Sequence, residues 1–335
     1  MSYPVTLGIE EEFFLLYRGK PTLSGMGNLS KLLWKNPTFY FSRSASNFTR
    51  KEGAKDGWMS ALEVSTRVCD SPKTLMDEVL ERRRDILEVC PNGLIAYAGM
   101  VNDDPYNTAG LHIHIGVPRS ERRRVYHNLV RFLPVLALAS SSSPWRSGLA
   151  DIQSQRMHAS YALGPLRTDP WFRFQDLIVT RRLGTLEIRV LDPVWDIQRL
   201  KSIVEAVWAL ANLQRPLEGN PETYNRLRTA FPLTGSTPEI EDLALELHDL
   251  SGFNVQNIRS TVSDQLAEIK DTREAHRYLD GGFRSGVWIP SRTDDTPPHK
   301  LKGLWGMATY YAPRLAYIGW KAWRENLGNT DEYWN

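Results

Sequence analysis

Cysteine is nearly absent from this chain of 335 residues, with Cys69 and Cys90 the only two. So few thiols exclude a scaffold built on disulfides. Neither has the neighbouring histidine that a thiolate nucleophile would use, so both are expected to be small core hydrophobes. A membrane-length apolar run is also missing, although 41% of the residues are apolar and can fill a sizeable core. The opening MSYPVTLGIEEEFFLLYRGK has no basic segment followed by an unbroken apolar stretch. No secretion signal is visible there, and a cytoplasmic location is expected. Charge of one sign is not in excess, since Lys and Arg number 41 and Asp and Glu 39. That balance removes the usual reason to expect nucleic acid or a membrane as partner, and the run Arg122, Arg123, Arg124 reads as a solvated helix face. No GxxxxGK(S/T) loop, internal repeat or low-complexity tract occurs. Phosphate held in a Walker-type glycine loop is therefore excluded.

What is present is alternation. Val5 to Leu16, Phe39 to Phe41 and Ser60 to Thr66 alternate apolar and polar residues between Gly, Pro, Asn or Ser, which predicts strands. Ser71-Pro72 then opens a helix, with Ser as N-cap, Pro in the first turn, and Leu75, Val79, Leu80, Ile86 and Leu87 at helical spacing. Strand character returns at Leu94 to Tyr97 and Leu111 to Val117. Ser120 opens a second helix through Leu136, which Pro134 kinks or resets. Ser140 to Asp169 reads as a polar loop. Asp176 to Thr180 and Thr185 to Val190 form a hairpin, and Asp196 to Leu213 a long helix. The remainder is helical up to a loop rich in Pro and Asp at Ile289 to Lys300. The hairpin and the one-sided alternation favour an α+β fold, a mainly antiparallel sheet with helices on one face.

The chemistry-bearing residues recur on these strands. In Gly8-Ile9-Glu10-Glu11-Glu12-Phe13, period-two geometry sends Glu10 and Glu12 to one face and Glu11 to the other. Two such carboxylates suit Mg²⁺ or Mn²⁺, and equally suit an exposed acidic face. In Gly110 to Val117, His112 and His114 share one face while Leu111, Ile113 and Ile115 share the other, which fits ligands or phosphate contacts as well as structural histidines. In Thr185 to Val190, Glu187 and Arg189 project together, as a metal carboxylate beside a phosphate-binding guanidinium or as a surface salt bridge. Glu63, between Leu62 and Val64, adds a further acid, with Asp56 just upstream. Four strands thus repeat one design, an apolar face and a face bearing Glu or His. Together they describe a cavity able to hold two or three divalent ions and, through them, a nucleotide triphosphate.

These segments resemble the glutamate–cysteine ligase type 2 family of carboxylate–amine ligases, relatives of glutamine synthetase. The family's opening G-(I/V)-E-x-E-F is similar to Gly8 to Phe13, its V-E-x-(S/T)-T to Leu62 to Thr66, and its G-x-H-(V/I)-H-(V/I)-G-(V/I) to Gly110 to Val117. Leu133 to Pro144, Ser154-Gln155-Arg156 and Thr185 to Asp192 match three further motifs in order. The resemblance implies a glutamine synthetase/guanido kinase-like fold whose curved sheet lines a funnel-like active site, with helices on its outer face. It implies one catalytic domain over 1–335, with a motif-bearing core at 8–215 and a mostly helical part at 216–335. Glu10, Glu12, Glu63, His112 and Glu187 would be metal ligands, with Asp56 an addition. Arg189 would contact the transferred phosphoryl group and Arg156 an anionic group of substrate or nucleotide, while His114 would either support a metal ligand from behind or contact a phosphate. The cofactors implied are ATP with two or three Mg²⁺ or Mn²⁺ ions, and the partners a small carboxylate, usually glutamate, and an amine. A homo-oligomer is left open. The implied reaction phosphorylates a carboxylate and lets an amine displace phosphate from the acyl phosphate.

The resemblance thins after about residue 215, where Asn254 to Arg259 is a poor counterpart of a family motif. The acceptor amine is therefore open. The 11 tryptophans are read as core before an acceptor pocket. Phe283-Arg284, beside Gly281, Gly282 and Gly286, fits a lid with an anion contact at Arg284 or an ordinary turn. Two other functions compete: a metal-dependent amide hydrolase, because His-x-His with acids also holds zinc, and a non-catalytic protein of the same fold that binds ATP or an amino acid.

Overall fold

The computed structural model describes residues 4–47, 61–101, 108–147, 150–158, 160, 162–164, 166, 175–180 and 183–327. The strands are β1 (Thr6–Tyr17), β2 (Lys20–Pro21), β3 (Ser44–Asn47), β4 (Ala61–Ser65), β5 (Leu94–Ala96), β6 (Leu111–Gly116), β7 (Trp145–Ser147), β8 (Ala150–Ile152), β9 (Leu177–Val179) and β10 (Leu186–Leu191). The helices are α1 (Gly25–Lys35), α2 (Pro37–Arg43), α3 (Pro72–Val89), α4 (Arg122–Ser140), α5 (Gln155–His158), α6 (Ile197–Asn212), α7 (Pro221–Thr234), α8 (Pro238–Ser251), α9 (Gln256–Arg259), α10 (Val262–Ala267), α11 (Thr272–Ser285) and α12 (Lys300–Leu327).

The chain is a mixed α+β fold on an open antiparallel sheet ordered β3-β4-β1-β6-β10-β9. Strand β1 is its hub. It pairs with β6 through Thr6–Glu11 and with β4 through Glu10–Phe13, and then meets β5 through Phe14–Leu16. Parity decides what each side does. Leu7, Ile9, Leu111, Ile113, Ile115, Leu186 and Ile188 join one buried cluster with Leu129 and Leu133 of α4 and Ile203 and Val207 of α6. Each such side chain contributes roughly 1.5–3 kcal/mol on burial, so this face fixes which residues of the same strands must look the other way. A second cluster joins Phe13–Tyr17 of β1 to α1, β5, α11 and α12.

The cap read at Ser71 and the helix start read at Asp196 form as expected. Ser71 Oγ accepts from the Thr74 amide at 3.2 Å ahead of α3, and Asp196 caps α6 at the Gln198 and Arg199 amides. Other expectations are corrected. Phe39 to Phe41 lie in α2 and form no strand, because Asn36 accepts from the Phe39 amide and Pro37 follows it, a helix start that outweighs three residues of strand-like composition. The edge strand is instead the polar Ser44–Asn47. The expected loop at 140–169 holds β7, β8 and α5. A 3₁₀ turn at Arg119–Glu121 precedes α4, and Pro134 stays inside that helix, where buried neighbours offset its missing amide bond. Phe283 and Arg284 form neither lid nor turn, since they lie within α11. Both cysteines are free and buried. The tryptophans divide: Trp195 is buried and stacks on Trp288, while Trp34 and Trp305 are exposed. Among the described residues, no helix is long and apolar enough to cross a membrane.

Candidate active site

Strand register assembles the site. Glu10 of β1 lies opposite His112 of β6, Glu12 opposite Glu63 of β4, and Glu187 of β10 opposite His114 of β6. Residues directly opposed across an antiparallel pair have Cβ atoms about 4.5–5.5 Å apart, so six acidic and imidazole side chains share one face of four adjacent strands. Between Ile188 and Leu191 the β10–β6 register shifts. This bulge falls at Arg189, where such an insertion re-aims a side chain beside a site.

The contacts are close. Glu10 Oε2 lies 3.3 Å from His112 Nδ1, and its Oε1 3.4 Å from His114 Nε2. Glu187 Oε1 is 3.5 Å from His112 Nδ1 and 4.0 Å from His114 Nε2, and it also accepts from Arg189 Nη1. Arg156 Nη2 reaches His112 Nε2 at 3.2 Å and the Arg189 carbonyl at 2.8 Å. A guanidinium has no acceptor, so in this arrangement His112 Nε2 accepts and the ring proton sits on Nδ1, facing the carboxylates. Ligation of a metal by His112 requires that proton or Arg156 to give way. A Cβ on Gly110 would fall 2.2 Å from Arg156 Nη2, so only glycine lets this arginine pass. The Gly110 amide itself donates to Glu12 Oε2 at 2.6 Å.

Electrostatics mark the cluster as short of positive charge. His112 and Glu187 keep only 5% and 4% of their side-chain exposure, so water screens them little. Burial pushes the Glu63 carboxyl up to about 8, helped by the charges of Glu10, Glu12 and Glu187 and opposed by Arg189. Burial also acts to raise Glu10, but hydrogen bonds and charge from His112 and His114 hold it well below the usual carboxylate range. For His114, burial is outweighed by Glu10 and Glu187, which raise it. Donor atoms of Glu10, His114 and Glu187 lie within 4.8 Å of one another. Such a carboxylate and imidazole set fits a divalent cation.

Not every expected residue joins. Asp56 lies outside the described residues. Arg284 is held elsewhere, on Asp280 at 2.8 Å and on the carbonyls of Cys90 and Gly93 at 3.0 and 3.1 Å. Arg259 pairs with Glu241, also apart from the cluster.

No family model matches the chain. Two curated relatives, each named "Putative glutamate--cysteine ligase 2", do match. One, from Bordetella avium, is 26% identical over 232 residues, covering 59% of this chain and 55% of that one. The other, from Bdellovibrio bacteriovorus, is 26% identical over 282 residues, covering 67% and 73%. Over these stretches the chain is similar to proteins named glutamate–cysteine ligase 2. Its match spans little more than half the length of the Bordetella relative. The fold recurs in the glutamate–cysteine ligase of Francisella tularensis, crystallised in complex with AMP. That structure superposes with a TM-score of 0.56 and 13% identity, over 94% of this chain and 95% of that one.

Sequence reasoning passed over four features of the site. Thr185 Oγ1 is 3.2 Å from His114 Nδ1, and the Gly110 amide holds Glu12. Asp176 accepts the Arg189 amide through its carbonyl at 2.8 Å, and its own carboxyl is pushed up to about 6 by burial. Asp192 lies buried behind Arg156. Thr185 and Asp192 bound the last matched motif, so their positions in it were a usable signal. The other two act through backbone atoms or local fold, which composition does not encode.

Proposed function

We propose that this chain is an ATP-dependent carboxylate–amine ligase that releases ADP and forms a γ-glutamyl or related amide. The observation that carries the reading is the shared face of Glu10, Glu12, Glu63, His112, His114 and Glu187 across four antiparallel strands, with Arg189 and Arg156 at its edge. On this reading the chain acts in the cytoplasm as one catalytic domain over 1–335, its curved sheet lining a funnel as in glutamine synthetase. Residues 8–215 supply the site and 216–335 its support. Glu10, Glu12, Glu63, His112 and Glu187 would hold two or three Mg²⁺ or Mn²⁺ ions, with Asp56 as an addition, and His114 stands where it could join Glu10 and Glu187. Bound divalent ions supply neutralisation of the triphosphate charge.

The protein's own groups do the rest. Arg189, held against Glu187, contacts the transferred phosphoryl group, and Arg156 contacts a second anionic group. A carboxylate oxygen attacks the γ-phosphorus, the bond to the β-phosphate bridging oxygen breaks, and ADP leaves. The amine nitrogen then attacks the acyl carbon and loses a proton as phosphate departs with its oxygen. A free carboxylate is a poor acyl donor at neutral pH, and the mixed anhydride removes that obstacle without a side-chain nucleophile. The test is ADP and phosphate release with Mg·ATP, glutamate and a panel of amines including cysteine, with products identified by mass. An amide formed with stoichiometric ADP, and none with Glu187→Gln, upholds the reading. ATP left intact with every pair rejects it in favour of a binding role, and tightly retained zinc with amide cleavage favours a hydrolase.

A further inference from the structure

We infer that Asp192 is a positioning residue that sets Arg156 against His112, acting through Ser143 and Ser154. The inference rests on the anion-binding role proposed for Arg156. Asp192 directly follows β10, the strand carrying Glu187 and Arg189, and is wholly buried. Its Oδ2 accepts from the Ser142 amide at 2.8 Å and from the Ser143 hydroxyl at 2.7 Å. Ser143 Oγ lies 3.2 Å from Ser154 Oγ, and the two residues also form a parallel backbone bridge. Ser154 Oγ in turn accepts from the Met157 amide at 3.1 Å. That is an N-cap arrangement, with a hydroxyl just ahead of α5 taking an amide of its first turn. Arg156 is the second residue of this helix.

Helix α5 has only 4 residues, too few to hold its own geometry. Its orientation must be imposed from outside, and Ser154, tied to Asp192, is where it is imposed. Asp192 is also an expensive choice for filling space. Its Oδ1 has no hydrogen-bond partner and abuts Gly99, where a Cβ would lie 2.3 Å away. Burial raises the Asp192 carboxyl above its ordinary value, against the Ser142 amide, the Ser143 hydroxyl and the Arg156 charge, which favour its ionised form. A buried carboxylate with one satisfied oxygen is hard to explain by packing, and one of its two donors, the Ser143 hydroxyl, leads through Ser154 to the helix that carries Arg156.

The experiment is Mg·ATP binding by titration calorimetry on the full chain, for the parent, Asp192→Asn, Ser154→Ala and Arg156→Ala, and for each of the first two changes combined with Arg156→Ala. Melting temperature confirms folding. Asp192→Asn and Ser154→Ala are expected to weaken Mg·ATP by about fivefold to tenfold in the parent, and by less than about twofold once Arg156 is gone. A purely structural role would not produce that loss of effect. The inference is overturned if both changes weaken binding equally in the two backgrounds, or if both proteins fold and bind as the parent does. Should Asp192→Asn fail to fold, Ser154→Ala, which deletes one hydroxyl, carries the test alone. If Arg156→Ala itself binds Mg·ATP like the parent, Arg156 does not contact the nucleotide and the inference falls with that contact. If Arg156→Ala weakens binding and the other changes still multiply, only the positioning role is lost.

Discussion

Glu11 and Glu12 are neighbours in sequence, yet the parity of β1 gives them opposite surroundings. Glu12 faces the candidate site, whereas Glu11 turns into the helix-covered side and must be neutralised there. Arg83 of α3 does this, with Nη2 at 2.5 Å and Nε at 3.2 Å from the two carboxylate oxygens. Arg83 also donates to the carbonyls of Val194 and Trp195 at 2.6 and 2.7 Å, so its charge is fully engaged. Removing one member of such a buried pair leaves the other uncompensated. Arg83→Ala should therefore cost about 3–5 kcal/mol, read as a lower urea midpoint. Glu11→Leu with Arg83→Met should cost less than Arg83→Ala, and a double variant no more stable than Arg83→Ala would refute this account. His276 offers a second residue-scale test. It is buried in α11, its Nδ1 lacks a partner, and burial, weakly opposed by Asp271, pushes it down from 6.5 to about 4. As pH falls from about 6.5 to about 4 the unfolded chain takes a proton that the native state refuses, so stability falls across that window, by roughly 3 kcal/mol in all. His276→Gln should flatten this part of the profile. Parallel urea midpoints for the two proteins between pH 7 and pH 5 would count against it.

At the scale of elements, Ser71 makes the simplest prediction. Its hydroxyl caps α3, and Ser71→Ala should cost about 1 kcal/mol of stability while Mg·ATP affinity stays as in the parent, because α3 packs behind the sheet and away from the cluster. A loss above about 3 kcal/mol would mean the residue does more than cap. That cap was legible because it is a local signal, as were β1, β6 and β10, whose alternation is long and bordered by glycine. Legibility failed where signals were short or non-local. Phe39 to Phe41 had strand-like composition, but the Asn36 cap decided for helix. The bulge between Ile188 and Leu191 leaves only the adjacent apolar pair Val190-Leu191 as a trace in β10, because it depends on pairing with β6, a partner over 70 residues away in sequence. Gly281 and Gly282 beside Arg284 suggest a turn in sequence, yet they belong to helix α11, packed close against Trp195 and the Ile289 carbonyl.

At the scale of the whole molecule, neither hydrophobic cluster among the described residues includes the Glu and His side chains of the central strands. The far end of the chain supports that face from the edge. Arg314 of α12 donates to the carbonyls of Tyr40, Phe41 and Ser44, and Tyr310 donates to the Ser44 carbonyl at 2.7 Å, fixing β3 beside the strand that carries Glu63. A face so rigidly held and so acidic gains most from a cation that binds the folded state alone. Mg²⁺ or Mn²⁺ should therefore raise the melting temperature with the logarithm of its concentration above Kd, by about 2.7 kcal/mol of stabilisation at a hundredfold excess over Kd. The gain should vanish with a chelator, and Glu187→Gln should need a higher metal concentration for the same shift. The measurement is a thermal melt across a metal titration at constant ionic strength, so that general screening of charge stays fixed. If the parent and Glu187→Gln respond identically, the shift comes from surface sites. If neither responds, the acidic face must be balanced by the protons and arginines already on it, and the ligase reading loses the electrostatic argument on which it stands.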